Sequence, residues 1–191
     1  MGPFRILLFI LALLSGCSAS TMQTPGLAYR GSVIDAQTKA PIEGAVVVVT
    51  WTKKPRVTMD GPVYFHNAKE VLTDTEGKFS VDASPGVNSD PFTVVKDPDI
   101  SIFKPGYGPY PSGHVKDAPI DQTDKALLST EGTVIKLPRL KSQALVSFTD
   151  PGHLLISTVV PYERIPLLMK LINLQRINLG LQPIPIGKTS D

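Results

Sequence analysis

The apolar positions of this chain fall into two regimes. Residues 6–14 form one unbroken apolar run behind Arg5, whereas from residue 28 onward apolar residues come in short runs separated by Pro, Gly, Asp and Thr. Short β-branched runs bounded by turn formers predict strands. On that rule strands are expected over residues 29–35, 45–51, 69–73, 78–81, 100–104 and 133–137. The run Ala45-Val46-Val47-Val48-Val49-Thr50-Trp51 is apolar on both faces, which places it at the centre of a sheet with cover on each side. Asp74-Thr75-Glu76-Gly77 suits a hairpin turn with its glycine at positive φ. Short strands with no helix between them predict a mainly β fold, an antiparallel β-sandwich over residues 28–140.

The period changes near the end of the chain. Ile165, Leu168, Met169, Ile172, Arg176 and Leu179 recur at helical spacing, mostly apolar. Pro161 suits the first helical position, Glu163 the first turn, Gly180 the C-cap and Pro183 the stop. An amphipathic helix near 161–180 is therefore expected within an extension over 141–191. It can dock on the domain, or serve a membrane surface or a partner. Lys170 and Arg176 are too few for a strong electrostatic pull to a membrane.

Composition agrees with short strands and adds two exclusions. The 191 residues include 18 Pro and 15 Gly, a breaker content that disfavours long helices. Lys and Arg number 19 against 17 Asp and Glu, a formal charge of +2, which gives no footing to nucleic-acid binding. With hydrophobic residues at 42% the chain can bury a core. The single cysteine excludes an intrachain disulfide and a cysteine-based zinc site.

That cysteine stands where the first regime ends. The apolar run is too short to span a bilayer, which needs about 20 apolar residues. It is followed by Leu14-Ser15-Gly16-Cys17, which resembles the bacterial lipobox. The resemblance implies a lipoprotein signal peptide over residues 1–16, diacylation of the Cys17 thiol, and Cys17 as the new N-terminus. Two or three acyl chains on one residue anchor stably where one is marginal. Residues 17–27, polar and ending near Pro25-Gly26, then read as a tether. The expected location is the bacterial cell envelope, lipid-anchored and facing periplasm or exterior. Ser18 after the cysteine leans towards the outer membrane over the inner.

Three blocks of the strand region carry a second resemblance. Gly31-Ser32-Val33-Ile34-Asp35-Ala36-Gln37-Thr38-Lys39-Ala40-Pro41-Ile42-Glu43-Gly44-Ala45-Val46-Val47 is similar to the opening of carboxypeptidase regulatory-like domains. Thr73-Asp74-Thr75-Glu76-Gly77-Lys78-Phe79 resembles their second signature, and Ile102-Phe103-Lys104-Pro105-Gly106-Tyr107 their third. Lys39 departs from the pattern, because many relatives have glycine there. The resemblance implies a transthyretin-like (prealbumin-like or immunoglobulin-like) sandwich that binds, spaces or assembles and does not catalyse. Its glycines and Pro41 are then turn makers, and Tyr107 folds over the sandwich end, where its hydroxyl can cap a backbone group.

The search for chemistry returns little. None of the three histidines, His66, His114 and His153, begins a His-x-x-Glu pair, so a zinc carboxypeptidase site has no anchor. The sequence holds no Gly-x-Ser-x-Gly elbow, phosphate-binding glycine loop or dinucleotide fingerprint. Asp74, Glu76 and Asp82, and the loop acids Asp97, Asp99, Asp117, Asp121 and Asp124, lack calcium-loop spacing and read as solvated acids. No catalytic residue, metal or cofactor is assigned. Residues 52–68 read as an insertion that sets Tyr64, Phe65 and His66 beside Trp51, and residues 83–99 and 108–130 are long loops. With Tyr110 these aromatics form a candidate ligand surface, against the favoured reading of loop packing over the sandwich end. The expected function is a non-enzymatic envelope lipoprotein that holds a protein or glycan partner at the membrane. One alternative is a specific carbohydrate-binding protein that uses the 52–68 insertion, marked by glycan binding lost on Trp51→Ala. Another is an enzyme of unassigned type, marked by turnover abolished at one polar residue such as His66.

Overall fold

The computed structural model describes residues 28–57, 61–111, 133–154 and 159–186; the expected signal (1–16), Cys17, the expected tether (17–27) and most of the 108–130 loop lie outside them. Seven strands form in the order β1 (Ala28–Asp35), β2 (Val46–Pro55), β3 (Tyr64–Leu72), β4 (Lys78–Asp82), β5 (Thr93–Val95), β6 (Asp99–Phe103) and β7 (Val134–Leu137). β4, β1 and β7 make one sheet; in the other, β3 lies on one side of β2, and β5 and β6 lie on the other. Every pairing is antiparallel except β1 with β7, which is parallel because the chain enters both strands from the same end.

The sheets face each other over one core, so the architecture is a β-sandwich. Val33, Phe79, Val81, Ile135 and Leu137 come from the first sheet, and Val47, Val49, Trp51, Ile100 and Ile102 from the second. The opposite face of β2 is buried as well. Val46 and Val48, with Phe103 of β6, pack against Leu168, Met169 and Ile172 of the C-terminal segment. Alternation along a strand sends odd and even residues to opposite faces, so the continuous valine run fits a strand covered on both faces. Val46 to Val49 each have no exposed surface, and each contributes roughly 1.5–3 kcal/mol of transfer free energy.

The covering segment starts with two one-turn helices, α1 (Ser142–Leu145) and α2 (Pro151–Leu154), and ends in α3 (Pro166–Asn178). The helix begins at Pro166 and not at Pro161, because Tyr162–Arg164 forms a separate 3-10 turn that leaves Glu163 outside α3. Its end matches the sequence reading. Gly180 sits at φ 73°, and the N–H of Leu181 reaches the carbonyl of Arg176 at 2.8 Å, a Schellman closure.

Three loop readings are corrected. Asp74 to Gly77 is a tight turn with Gly77 at φ 72°, but it is no hairpin, since β3 and β4 belong to different sheets. The turn passes under β1, where a Cβ on Gly77 would lie 2.4 Å from the Val33 carbonyl oxygen. The 52–68 insertion is mostly strand, with β2 running on to Pro55 and β3 starting at Tyr64. The 83–99 loop contains β5, too short to stand out as a run but held to residues 53–55 of β2.

Candidate functional site

The most polar buried arrangement lies at the sandwich end where β1 and β7 finish. Asp35, 1% exposed, takes the N–H groups of Gln37 at 2.9 Å and Thr38 at 3.0 Å on Oδ1. Its Oδ2 takes the Arg139 Nε–H at 2.6 Å and the Tyr107 hydroxyl at 3.2 Å. The Arg139 guanidinium stacks 5.0 Å from the Tyr107 ring centre. The Thr38 N–H and then Arg139, joined by Gln37 and Tyr107, hold the Asp35 carboxyl well below the usual carboxylate range against its burial. Burial pushes the Tyr107 hydroxyl up. A carboxylate saturated with donors is a poor base or nucleophile. This cluster ties β1 to the segment after β6 and to the end of β7. The Tyr107 hydroxyl thus caps a carboxylate and not a backbone group.

Two further polar side chains join α3 to the sandwich. No side chain of α3 caps its own start; instead the Glu70 carboxylate of β3 receives the N–H of Leu167 at 2.9 Å and of Leu168 at 2.8 Å. The negative group expected near the helix start is therefore Glu70 and not Glu163. Burial raises its pKa against the pull of these two N–H groups. Gln175, 2% exposed, donates to the carbonyls of Leu145 and Phe148, each at 3.0 Å, and accepts the Gly106 N–H at 3.1 Å.

The aromatic surface expected around the insertion does not assemble. Trp51 is 2% exposed and lies in the inter-sheet core, with the Lys69 ammonium 5.7 Å from its ring centre. Phe65 is half-buried on the opposite side of the sheet, against the helical layer and beneath the Arg164 guanidinium. Tyr110 packs on the inter-sheet core and bridges Ile102. Only Tyr64, 48% exposed, faces solvent openly. Strand alternation explains this dispersal, because neighbours in sequence leave a strand on opposite faces. His66 is the extra residue of a β-bulge: Trp51 pairs with Asn67 and Thr52 with Phe65. Its Nε2 is buried without a hydrogen-bond partner. Among the described residues no group of three or more His, Cys, Asp or Glu is placed to hold a metal ion. Among them also, no helix is long and apolar enough to cross a membrane.

Some exposed apolar residues lie on the extension of the second sheet. β2, β3 and β5 continue beyond the sandwich as a ribbon, with Tyr64 paired to Lys53, and Val94 to Lys54. At its tip the Arg56 N–H donates to the Phe92 carbonyl at 2.9 Å. Phe92 is 76% exposed and Val57 89%. Lys53, Lys54, Arg56 and Lys96 stand on the same ribbon. Sequence reasoning passed over this tip, although Lys53-Lys54-Pro55-Arg56, three cations in four residues, was a signal for it.

Comparisons with protein-family models, with curated proteins and with solved structures find no match. What the structure defines is a mainly β chain, a sandwich with a helical third layer. The resemblance to regulatory-like domains is an expectation from three sequence blocks. Those blocks occupy β1 with the turn into β2, the sheet-switching turn, and the Tyr107 corner.

Proposed function

We propose that the chain is a non-enzymatic lipoprotein of the bacterial envelope, tethered through Cys17, whose sandwich holds a protein or glycan partner at the membrane. The observation that carries this reading is Leu14-Ser15-Gly16-Cys17 directly after the apolar run, with the only cysteine of 191 residues at the acylated position. The polar side chains support a scaffold role. Asp35, Glu70 and Gln175 are each occupied in joining layers, and such groups rigidify a fold rather than await a substrate. The carbohydrate alternative loses its platform, since Trp51 is in the core and Phe65 lies on the other side of the sheet.

The test compares wild type with Cys17→Ser in the native bacterium by membrane fractionation. Wild type is expected with the membranes, and Cys17→Ser is expected to lose its acylation and leave them. Equal solubility of both forms overturns the tether and leaves a free secreted or periplasmic binder.

A further inference from the structure

We propose that α3 carries a seat for an extended, proline-flanked peptide segment of a partner protein, and that residues 181–186 of the chain itself fill that seat as a displaceable stand-in; this names the kind of partner the module holds and rests on the binding reading above for there being one. Gly180 turns the chain at φ 73°, and Leu181-Gln182-Pro183-Ile184-Pro185-Ile186 then runs back along the helix. Asn173 and Arg176 stand one turn apart on α3 and hold this strap by its main chain. The Asn173 side-chain amide donates to the Ile184 carbonyl at 2.9 Å, and its Oδ1 accepts the Ile184 N–H at 2.7 Å. The Arg176 Nε–H donates to the Gln182 carbonyl at 2.6 Å, while its Nη1 donates to the Thr149 carbonyl at 3.0 Å.

These bonds recognise a peptide backbone. One side-chain amide reads both main-chain groups of a single residue, whatever side chain that residue carries. The prolines sharpen the choice. Pro183 and Pro185 have no N–H, so the single main-chain donor from residue 183 to residue 185 is that of Ile184, and the clamp takes it. Their rings also fix φ, which lowers the ordering cost of binding. Ile184 supplies the apolar anchor, half-buried against the core that Leu168, Met169 and Ile172 form with β2. Asparagine inside a helix costs up to about 0.7 kcal/mol against alanine, so the clamp and not the helix accounts for Asn173.

The strap is lightly held. Three side-chain hydrogen bonds and one half-buried isoleucine join it to α3, whereas Gln182, Pro183, Pro185 and Ile186 are exposed. Segments with so little buried surface open at a small fraction of the global stability. The helix does not need the strap to stay docked, because Glu70 holds its start and Gln175 ties it to the carbonyls of Leu145 and Phe148. A segment tethered this closely competes at an effective concentration in the millimolar range. A partner's segment therefore displaces it only when the partner brings further interactions, which makes the strap a threshold against weak ligands.

The test adds a fluorescein-labelled peptide, Leu-Gln-Pro-Ile-Pro-Ile, to the full chain carrying Cys17→Ser and reads anisotropy, so that the result does not depend on the lipid tether. Ile184→Asp, which withdraws the anchor of the strap, is expected to bind the peptide at least roughly 10-fold more tightly than the chain that keeps Ile184. Asn173→Ala added to it, which leaves a good helix former in α3, is expected to abolish that binding. Aspartate in place of the first isoleucine of the peptide is expected to abolish it as well. Ile184→Pro, which removes the N–H that the clamp takes, frees the seat by a second route should Ile184→Asp not fold. No binding to a folded strap variant overturns the proposal, as does binding that is equal with and without Ile184 or that survives Asn173→Ala. A dimer of the chain with its own Ile184 that Asn173→Ala dissolves would also overturn it, and would assign the seat to the strap of a second copy.

Discussion

Lys39 holds a left-handed conformation, φ 63°, which an L-residue other than glycine reaches at a cost of about 1 kcal/mol or more. The first block of the chain has lysine where its resemblance expects glycine, and the structure shows why glycine fits. Lys39→Gly is expected to raise stability by roughly 0.5–1 kcal/mol, less than the full strain because glycine also loosens the unfolded chain. Urea unfolding checks it, and a loss of stability would place the strain elsewhere. Asp35 gives a pH prediction. Its folded carboxyl titrates below its unfolded counterpart, so it stabilises the fold above the ordinary carboxylate pKa. That support is lost as pH falls through its depressed value. Asp35→Asn is expected to lower the melting temperature at neutral pH and to flatten the loss of stability below about pH 4. An unchanged acid limb would assign that loss to other groups. At this scale the turn glycines were readable, because special backbone angles restrict residue choice, whereas the burial of the Asp35 carboxylate was not. The Arg139 partner was not, since it lies 104 positions away in the chain.

Strands were readable where runs were apolar, and least so where pairing alone makes the strand. β5, with three residues, exists because the end of β2 offers it a partner. β3 starts well before its apolar part, since Tyr64 to Asn67 continue the ladder through a bulge. The expected ligand surface failed for the same reason: a segment read as loop was strand, and its aromatics separated onto two faces. At the start of α3 and along it the apolar spacing correctly marked Ile165, which precedes the helix, and Leu168, Met169 and Ile172 within it, all buried. The residue that locks the helix was missed, because a glutamine among apolar neighbours gives no sequence signal. Gln175→Leu keeps the size of the side chain but strands the Gly106 N–H and the carbonyls of Leu145 and Phe148. It is expected to cost about 2–3 kcal/mol in chemical denaturation. A neutral result would show that water or backbone relaxation satisfies those groups.

At the scale of the molecule, the two cores share β2. The odd residues of the strand close the sandwich and the even ones hold the helical layer, so the extension after residue 140 packs as a third layer on the sandwich. The valine run showed that cover was needed on both faces. It did not show that the C-terminal helix supplies it, since long-range packing leaves no local periodicity. Function sits at this scale too. The described residues form a joined scaffold of two sheets and a helical layer. The proposed binding role rests on such a scaffold.

The most direct test of the account is the intact mass of the mature protein from native membranes. The account predicts a chain that begins at Cys17, 175 of the 191 residues, with added diacylglyceryl mass. A chain that begins elsewhere, or one with a free Cys17 thiol and no lipid, would contradict it.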